Sequence, residues 1–260
     1  MAAMSALVLA ATMLVVAPAT TLAIVHGCAD AIPAGAWDGN ALKPSNGAWA
    51  VRATIDVSPA FDTCYGGFSN NSASAWVGLT PQGWSGPFGS AIVQVGIVDC
   101  ETVAPISTDD PCFFHPDQKR FFWAIGGCSA VLPSAHDLGP ADGAAHNYMI
   151  ILASDRRAFM YIDSQQVHVV DNWDSGVYCW INTFKLQSNW YAEQKDHGDS
   201  VGSSSSKTIF TGVQYKNAWG GSWYGGAGLA WTSCDAYGHY DYYRGHCEIP
   251  SSTSFRVWDD

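Results

Sequence analysis

Short runs of β-branched and aromatic residues recur along the chain between clusters of Gly, Pro, Asn and Asp. This alternation predicts strands joined by turns, and after the N-terminal segment no longer stretch has a clean helical period. The predicted strands are 48–56, 73–79, 91–98, 120–125, 147–153, 158–163, 165–170, 190–194 and 208–215. Their number and spacing predict an all-β sandwich of two antiparallel sheets.

The clearest hairpin pattern lies in the middle of the chain. Asp155, Arg156 and Arg157 form the predicted turn between two apolar runs, and Asp163 with Ser164 forms the next turn. Bulky residues alternate along these runs, as a half-buried strand requires. We therefore expect three meandering strands that serve as scaffold.

The first residues predict a signal peptide. Residues 1–23 carry no charged side chain, and an apolar run over 5–17 is followed by small residues that permit cleavage after Ala19 or Ala23. A membrane anchor is the alternative, which Pro18 and the lack of flanking charge disfavour. We expect a secreted, extracellular protein with a signal peptide at 1–23, a β-sandwich at 24–216 and a Gly- and aromatic-rich extension of the same domain at 217–260.

Composition narrows the set of partners. Only 13% of the residues are charged, and 12 Lys and Arg against 23 Asp and Glu give a net charge of -11. This charge repels phosphate backbones and anionic lipid surfaces, so nucleic acid and membrane partners are not expected. No motif for a cofactor is present, and we expect a monomer.

Cysteine usage agrees with export. An even number of cysteines without the spacing of a metal site predicts disulfides, although their connectivity does not follow from the sequence. The cysteines are Cys28, Cys64, Cys100, Cys112, Cys128, Cys179, Cys234 and Cys247. The pairs 100–112 and 234–247 are favoured because each closes a short loop, and 28–64 and 128–179 then follow by elimination. Asn70 begins a glycosylation sequon.

Several common catalytic patterns are absent from the sequence. It has no Gly-x-Ser-x-Gly, no His-Glu-x-x-His and no Gly-rich phosphate loop. Asp174-Ser-Gly resembles half of an aspartic peptidase site, but no second copy exists. His239, Asp241 and His246 are possible metal ligands, yet a polar surface in a Tyr-rich loop explains them better, and we predict no metal site.

Two polar residues in apolar strands are the candidates for chemistry. They are Gln94, within Ile92-Val-Gln-Val-Gly-Ile97, and Glu193, within Trp190-Tyr-Ala-Glu193. Together with Ser74-Ala-Trp-Val-Gly-Leu79, these motifs resemble the eqolisin family of glutamic peptidases. The order of the three motifs is the order in that family. Two segments depart from the family pattern. Leu79-Thr80 follows Trp-Val-Gly where the family tends to have Ile-Asp, and the run 121–124 lacks an acidic residue.

The resemblance implies a concanavalin A-like jelly-roll sandwich and an acid endopeptidase. Glu193 would act as general base toward water and then as acid toward the leaving amine, and the Gln94 amide would stabilise the oxyanion. Trp76 and Trp190 would contact the polypeptide substrate. The alternative is a non-catalytic, lectin-like sandwich that binds a glycan, since the same fold hosts both activities. No paired carboxylate motif for a glycosidase is found.

Overall fold

The computed structural model describes residues 38–42, 47–62, 71–81, 92–101, 118–126, 134–154, 157–170, 186–194, 200–226, 235–237 and 246–258. This part of the chain consists of strands and turns, and it includes no helix that is long and apolar enough to cross a membrane.

The first sheet contains seven antiparallel strands. In spatial order they are β15 (Asp235–Tyr237), β1 (Asp38–Leu42), β11 (Leu186–Gln194), β4 (Asn71–Pro81), β5 (Val93–Glu101), β6 (Gln118–Ile125) and β7 (Ser134–Pro140). Strands β11, β4, β5 and β6 form its centre. Because these central strands have a neighbour on both sides, their register is well determined.

The second sheet contains ten strands, also antiparallel. Its main path runs β10 (Gln165–Val170), β9 (Ala158–Ile162), β8 (His146–Leu152), β2 (Ala50–Asp56), β13 (Ser206–Lys216), β12 (Ser200–Ser203) and β3 (Phe61–Asp62). Beside it lie β14 (Tyr224–Gly225), β17 (Ser254–Trp258) and β16 (His246–Ser251). Strands β14 and β17 both pair with β13, and β16 pairs with β17.

The core lies between the two sheets and follows from the period of two along each strand. In β9, for example, Ala158, Met160 and Ile162 are buried while the residues between them are half-buried. The inner faces of both sheets contribute to one cluster of buried apolar side chains, which includes Val51, Ile55, Val77, Val95, Ile150 and Phe210. The predicted all-β sandwich of two antiparallel sheets is confirmed.

The predicted turn at Asp163 and Ser164 is present. Both residues have positive φ, 50° and 67°, as a two-residue type I′ hairpin requires. The Asp163 carboxylate accepts hydrogen bonds from the backbone N–H of Asn147 at 2.9 Å and from His146 Nδ1 at 2.5 Å. Asp142 contacts the other ring nitrogen of His146 at 2.8 Å. The turn at 155–156 lies outside the described residues.

Every predicted strand overlaps an observed one, while several short strands were not predicted. The part of the 217–260 segment that the structure describes pairs with both sheets, since β17 extends the second sheet and β15 joins the first. It is thus a part of the sandwich edges. The predicted signal peptide at 1–23 lies outside the described residues.

Candidate functional site

The candidate site is the outer face of the first sheet, which we define by the side chains that point away from the core. On β4 and β5 the odd-numbered residues from Ala73 to Leu79 and from Val93 to Ile97 are buried in the core between the sheets. The even-numbered residues therefore point to the other side. The outer face is formed by Ser74, Trp76, Gly78, Gln94, Gly96, Phe122, Tyr191 and Glu193.

Glu193 is held in place by two donors on the neighbouring strand. One of its oxygens, Oε1, accepts a hydrogen bond from Trp76 Nε1 at 2.7 Å and another from Ser74 Oγ at 3.0 Å. Glu193 lies directly opposite Ser74 in the register of β11 and β4. Because an indole N–H only donates, this pair of contacts suits an ionised carboxylate oxygen.

The Trp76 indole lies flat along β4. It stacks on Tyr191, with ring centroids 4.5 Å apart and planes 9° apart. Glycine at two positions makes this possible: a Cβ at Gly78 would lie 2.7 Å from Trp76 Cζ3, and one at Gly96 would lie 2.5 Å from Trp76 Cβ. Trp76 and Tyr191 are 3% and 8% exposed, so this aromatic pair supports Glu193 and offers little surface to a ligand.

Gln94 is on the same outer face but at a different position along the strands. It lies opposite Gly78, which in turn lies opposite Asn189 on β11. Gln94 and Glu193 are therefore two strands and four residues apart, which corresponds to a Cα–Cα separation of about 17 Å. The Trp76 ring reaches from Glu193 to Gly78 and therefore lies between Glu193 and Gln94.

The two groups also differ in their contacts. The half-buried Gln94 amide makes no side-chain hydrogen bond within the part of the chain that the structure describes. An amide in such a position needs water or a ligand as a partner. The Glu193 carboxylate is half-buried as well, so both groups are within reach of a bound molecule on this face.

The arrangement suits binding better than a two-residue catalytic dyad. In a dyad, the base and the oxyanion donor must each come within about 3 Å of the same reacting carbonyl group. About 17 Å between Cα atoms does not allow this for Gln94 and Glu193. The Arg120 guanidinium also lies on this face, but it is paired with the Asp137 carboxylate.

Trp190 lies on the opposite side of β11 from Glu193. Its side chain is fully buried between the sheets, and Nε1 donates to the backbone carbonyl of Arg52 at 2.9 Å. This position does not fit the predicted contact between Trp190 and substrate, because adjacent residues of a strand point to opposite faces. Trp76, in contrast, is on the outer face with Glu193, and its contact with a substrate stays a prediction.

Sequence reasoning missed Ser74 and Tyr191 as members of the site. The signal was available in part, since a period of two places Ser74 with Trp76 and Tyr191 with Glu193. What the pattern does not contain is the pairing of β4 with β11, which brings the Ser74 hydroxyl to the carboxylate.

Most predicted modifications fall outside the described residues. Of the eight cysteines only Cys247 has a described side chain, and it is in a disulfide. Its partner, the other predicted pairs and Asn70 lie outside the described part of the chain. Within that part, no group of three or more His, Cys, Asp or Glu is arranged to hold a metal ion.

Comparisons with solved structures give remote matches. BuGH16Bwt is 10% identical with a TM-score of 0.32, over 57% of this chain and 49% of that one. Porphyranase B from Zobellia galactanivorans is 13% identical with a TM-score of 0.29, over 57% and 51%. The CBM40 of the Ruminococcus gnavus IT-sialidase is 6% identical with a TM-score of 0.27, over 62% and 76%.

The match thus spans about half the length of the first two proteins (49% and 51%). Similarity this remote carries no functional information. No protein-family model matches the sequence, so none supports the resemblance to the eqolisins. No curated protein matches it either.

Proposed function

We propose that this protein is a secreted, non-catalytic glycan-binding sandwich that recognises its ligand with the outer face of the first sheet. The observation that carries the proposal is the half-buried Gln94 amide, which has no side-chain partner among the described residues and shares a face with the Glu193 carboxylate. An amide both donates and accepts, and a carboxylate accepts at two oxygens. These are the groups that pair with the hydroxyls of a sugar.

The separation of the two groups is the second argument. A glycan chain that lies along the face contacts both Gln94 and Glu193, whereas a single peptide carbonyl does not. Ser74 and Trp76 hold the carboxylate in one position before a ligand arrives, which reduces the ordering cost of binding. Secretion is supported by the signal-peptide pattern and by the disulfide at Cys247.

The test begins with a glycan array on the oxidised protein, followed by calorimetric titration of the best ligand. We expect Gln94→Ala to weaken binding about 10-fold, since a hydrogen bond contributes up to about 1.5 kcal/mol. Glu193→Gln should weaken it by a similar factor because it removes the charged acceptor.

Gln166→Ala is the matched control, because it removes an exposed amide from β10 of the other sheet. Its affinity should equal that of the parent protein. If the parent protein binds a glycan and neither Gln94→Ala nor Glu193→Gln changes the affinity, the ligand does not bind at this face and the proposal is wrong.

The eqolisin resemblance implies an acid endopeptidase, and the separation of Gln94 and Glu193 argues against it. The check is digestion of denatured casein between about pH 2 and 7, the range in which carboxyl groups titrate. On the glycan-binding proposal casein stays intact. Cleavage that Glu193→Gln and Gln94→Ala both abolish would establish the peptidase instead.

A further inference from the structure

A second surface, at one end of the other sheet, combines exposed aromatic side chains with positive charge that no carboxylate of the described residues pairs with. Trp219 is 53% exposed and Tyr224 is 44% exposed, and they are the exposed large apolar side chains among the described residues. Trp223 lies between them in sequence. We call the group Arg52, Lys216, Trp219 and Trp223 the aromatic patch. Tyr224 lies opposite the core-facing Tyr215, so its ring is on the other face of the sheet from Trp223.

The backbone presents these rings at the end of the sandwich. Strand β13 ends at Lys216, a tight turn closed by a bond from Gly221 N to Ala218 O at 3.1 Å carries Trp219, and the chain returns as β14. Gly220 has a φ of +69°, which favours glycine. Pairing of Tyr224 with Tyr215 anchors the returning segment to β13. The rings are therefore held on a defined scaffold.

Two cations surround the middle ring. The Arg52 guanidinium carbon lies 4.2 Å from the centre of the Trp223 ring, and Lys216 Nζ lies 4.9 Å from it. Arg52 is oriented by Gln214, whose Oε1 accepts from Arg52 Nε at 2.8 Å. Neither cation forms an ion pair with a carboxylate of the described residues.

Such a pair of cations is unusual in this protein. The chain has 12 Lys and Arg against 23 Asp and Glu, so most of its surface repels an anion. Elsewhere, Lys207 and Arg256 share one carboxylate, that of Glu248. At the aromatic patch, no described carboxylate pairs with the positive charge, and the rings offer flat apolar area beside it.

We propose that the aromatic patch binds an anionic polysaccharide. The apolar face of a sugar ring stacks on Trp219, and the sulfate or carboxylate of the same chain pairs with Lys216 and Arg52. A neutral glycan leaves the two cations unused. This site is separate from the outer face of the first sheet and does not depend on it.

The experiment compares dextran sulfate with unsulfated dextran, two polymers that share one backbone and differ in charge. Binding is measured by calorimetry on the full, oxidised protein at about 0.15 M salt, where weak charge effects are screened. We expect binding of dextran sulfate and at least about 10-fold weaker binding of dextran.

The variants separate stacking from charge. Trp219→Ala should weaken binding about 10-fold, because an aromatic ring that loses about 60 Å² of contact loses about 1.5 kcal/mol. Lys216→Gln should weaken it about 3-fold, as expected for one exposed ion contact. Arg256→Gln is the matched control, since it removes one positive charge from β17 of the same sheet. Its affinity should be unchanged.

Several results would overturn the proposal. Equal affinity for dextran and dextran sulfate would remove the role of charge. Equal losses in Arg256→Gln and Lys216→Gln would mean that the polymer responds to net charge alone. Binding of polyglutamate with the same dependence on Trp219 and Lys216 would point to an acidic protein partner.

Glu193→Gln distinguishes this site from the proposed glycan site. If it alone abolishes the binding of dextran sulfate, the polymer binds to the first sheet and the aromatic patch is not a site. Because Trp219 is largely exposed, its substitution should leave the thermal unfolding curve unchanged. An unchanged curve would show that weaker binding by Trp219→Ala does not result from unfolding.

Discussion

Gly78→Ala tests the packing that holds Glu193 in position. A Cβ at Gly78 would lie 2.7 Å from Trp76 Cζ3 and 3.0 Å from the backbone oxygen of Val93, whereas ordinary contacts begin at 3.4 Å. The edge of the Trp76 ring must therefore retreat by about 0.7 Å. Tyr191 stacks on the ring at 4.5 Å, so it cannot simply lift away.

The movement has an energetic consequence that follows from these distances. A shift of about 0.7 Å would take the 2.7 Å bond from Trp76 Nε1 to Glu193 Oε1 out of the usual range of about 2.7–3.2 Å. Overpacking costs about 1–3 kcal/mol, and alanine returns about 0.4–1 kcal/mol by restricting the unfolded chain. With about 1 kcal/mol for the perturbed Trp76–Glu193 hydrogen bond, we expect a net loss of about 2 kcal/mol and a Tm lower by about 4–8 °C.

The assay is a double-mutant cycle measured by urea unfolding of the oxidised protein. Trp76→Phe removes the ring edge that Gly78→Ala would strike, so the alanine should cost at least about 1 kcal/mol less in that background. Gly143→Ala is the control, because no atom lies within 4 Å of its Cβ and only its φ of +76° opposes alanine. It should show no coupling to Trp76→Phe. Equal costs of Gly78→Ala in both backgrounds would refute the reasoning.

Two further predictions concern other parts of the sandwich. Gly96→Ala should lower the free energy of unfolding by about 3 kcal/mol or more, which is more than Gly78→Ala, because its Cβ would lie 2.3 Å from the backbone oxygen of Ala75. A smaller shift in the urea midpoint than that of Gly78→Ala would contradict the close approach of β4 and β5. Burial lowers the pKa of His146, but hydrogen bonds and charges from Asp163 and Asp142 outweigh it and hold the pKa above its usual value. The folded state therefore binds the proton more tightly than the unfolded state does. The parent protein should exceed His146→Gln in unfolding free energy by the full amount below about pH 6.5, and this difference should disappear as the pH rises through the raised pKa. A difference in unfolding free energy that is the same at about pH 5.5 and pH 9 would contradict this.

Strand positions were largely predictable because they depend on local alternation. The run 158–163 shows this well, since its apolar residues alternate and the observed strand β9 (Ala158–Ile162) buries every second one. Strand β7 (Ser134–Pro140) was missed because it is polar and contains Gly and Pro. Strand β17 (Ser254–Trp258) does alternate, and Phe255 and Val257 are buried, but its Gly- and aromatic-rich surroundings obscured the pattern.

The candidate site was predictable only in part. Gln94 and Glu193 stand out in the sequence because each is a polar residue in an apolar strand, and they do share a face. Their distance was not predictable, since it depends on which residues of β4 lie opposite each of them. One shift of register by two residues would change the separation along the strands by about 7 Å without altering a single local pattern.

The sequence by itself determined the fold class and the candidate residues, since the strand period and the turn residues are local properties of the chain. Only the tertiary structure decided that Trp76 supports Glu193, that Trp190 faces the core, and that Arg52 and Lys216 meet at Trp223. Each of these contacts joins different strands, and each depends on the register and order of the strands. That order is set by the packing of the whole sandwich, which no short stretch of sequence encodes.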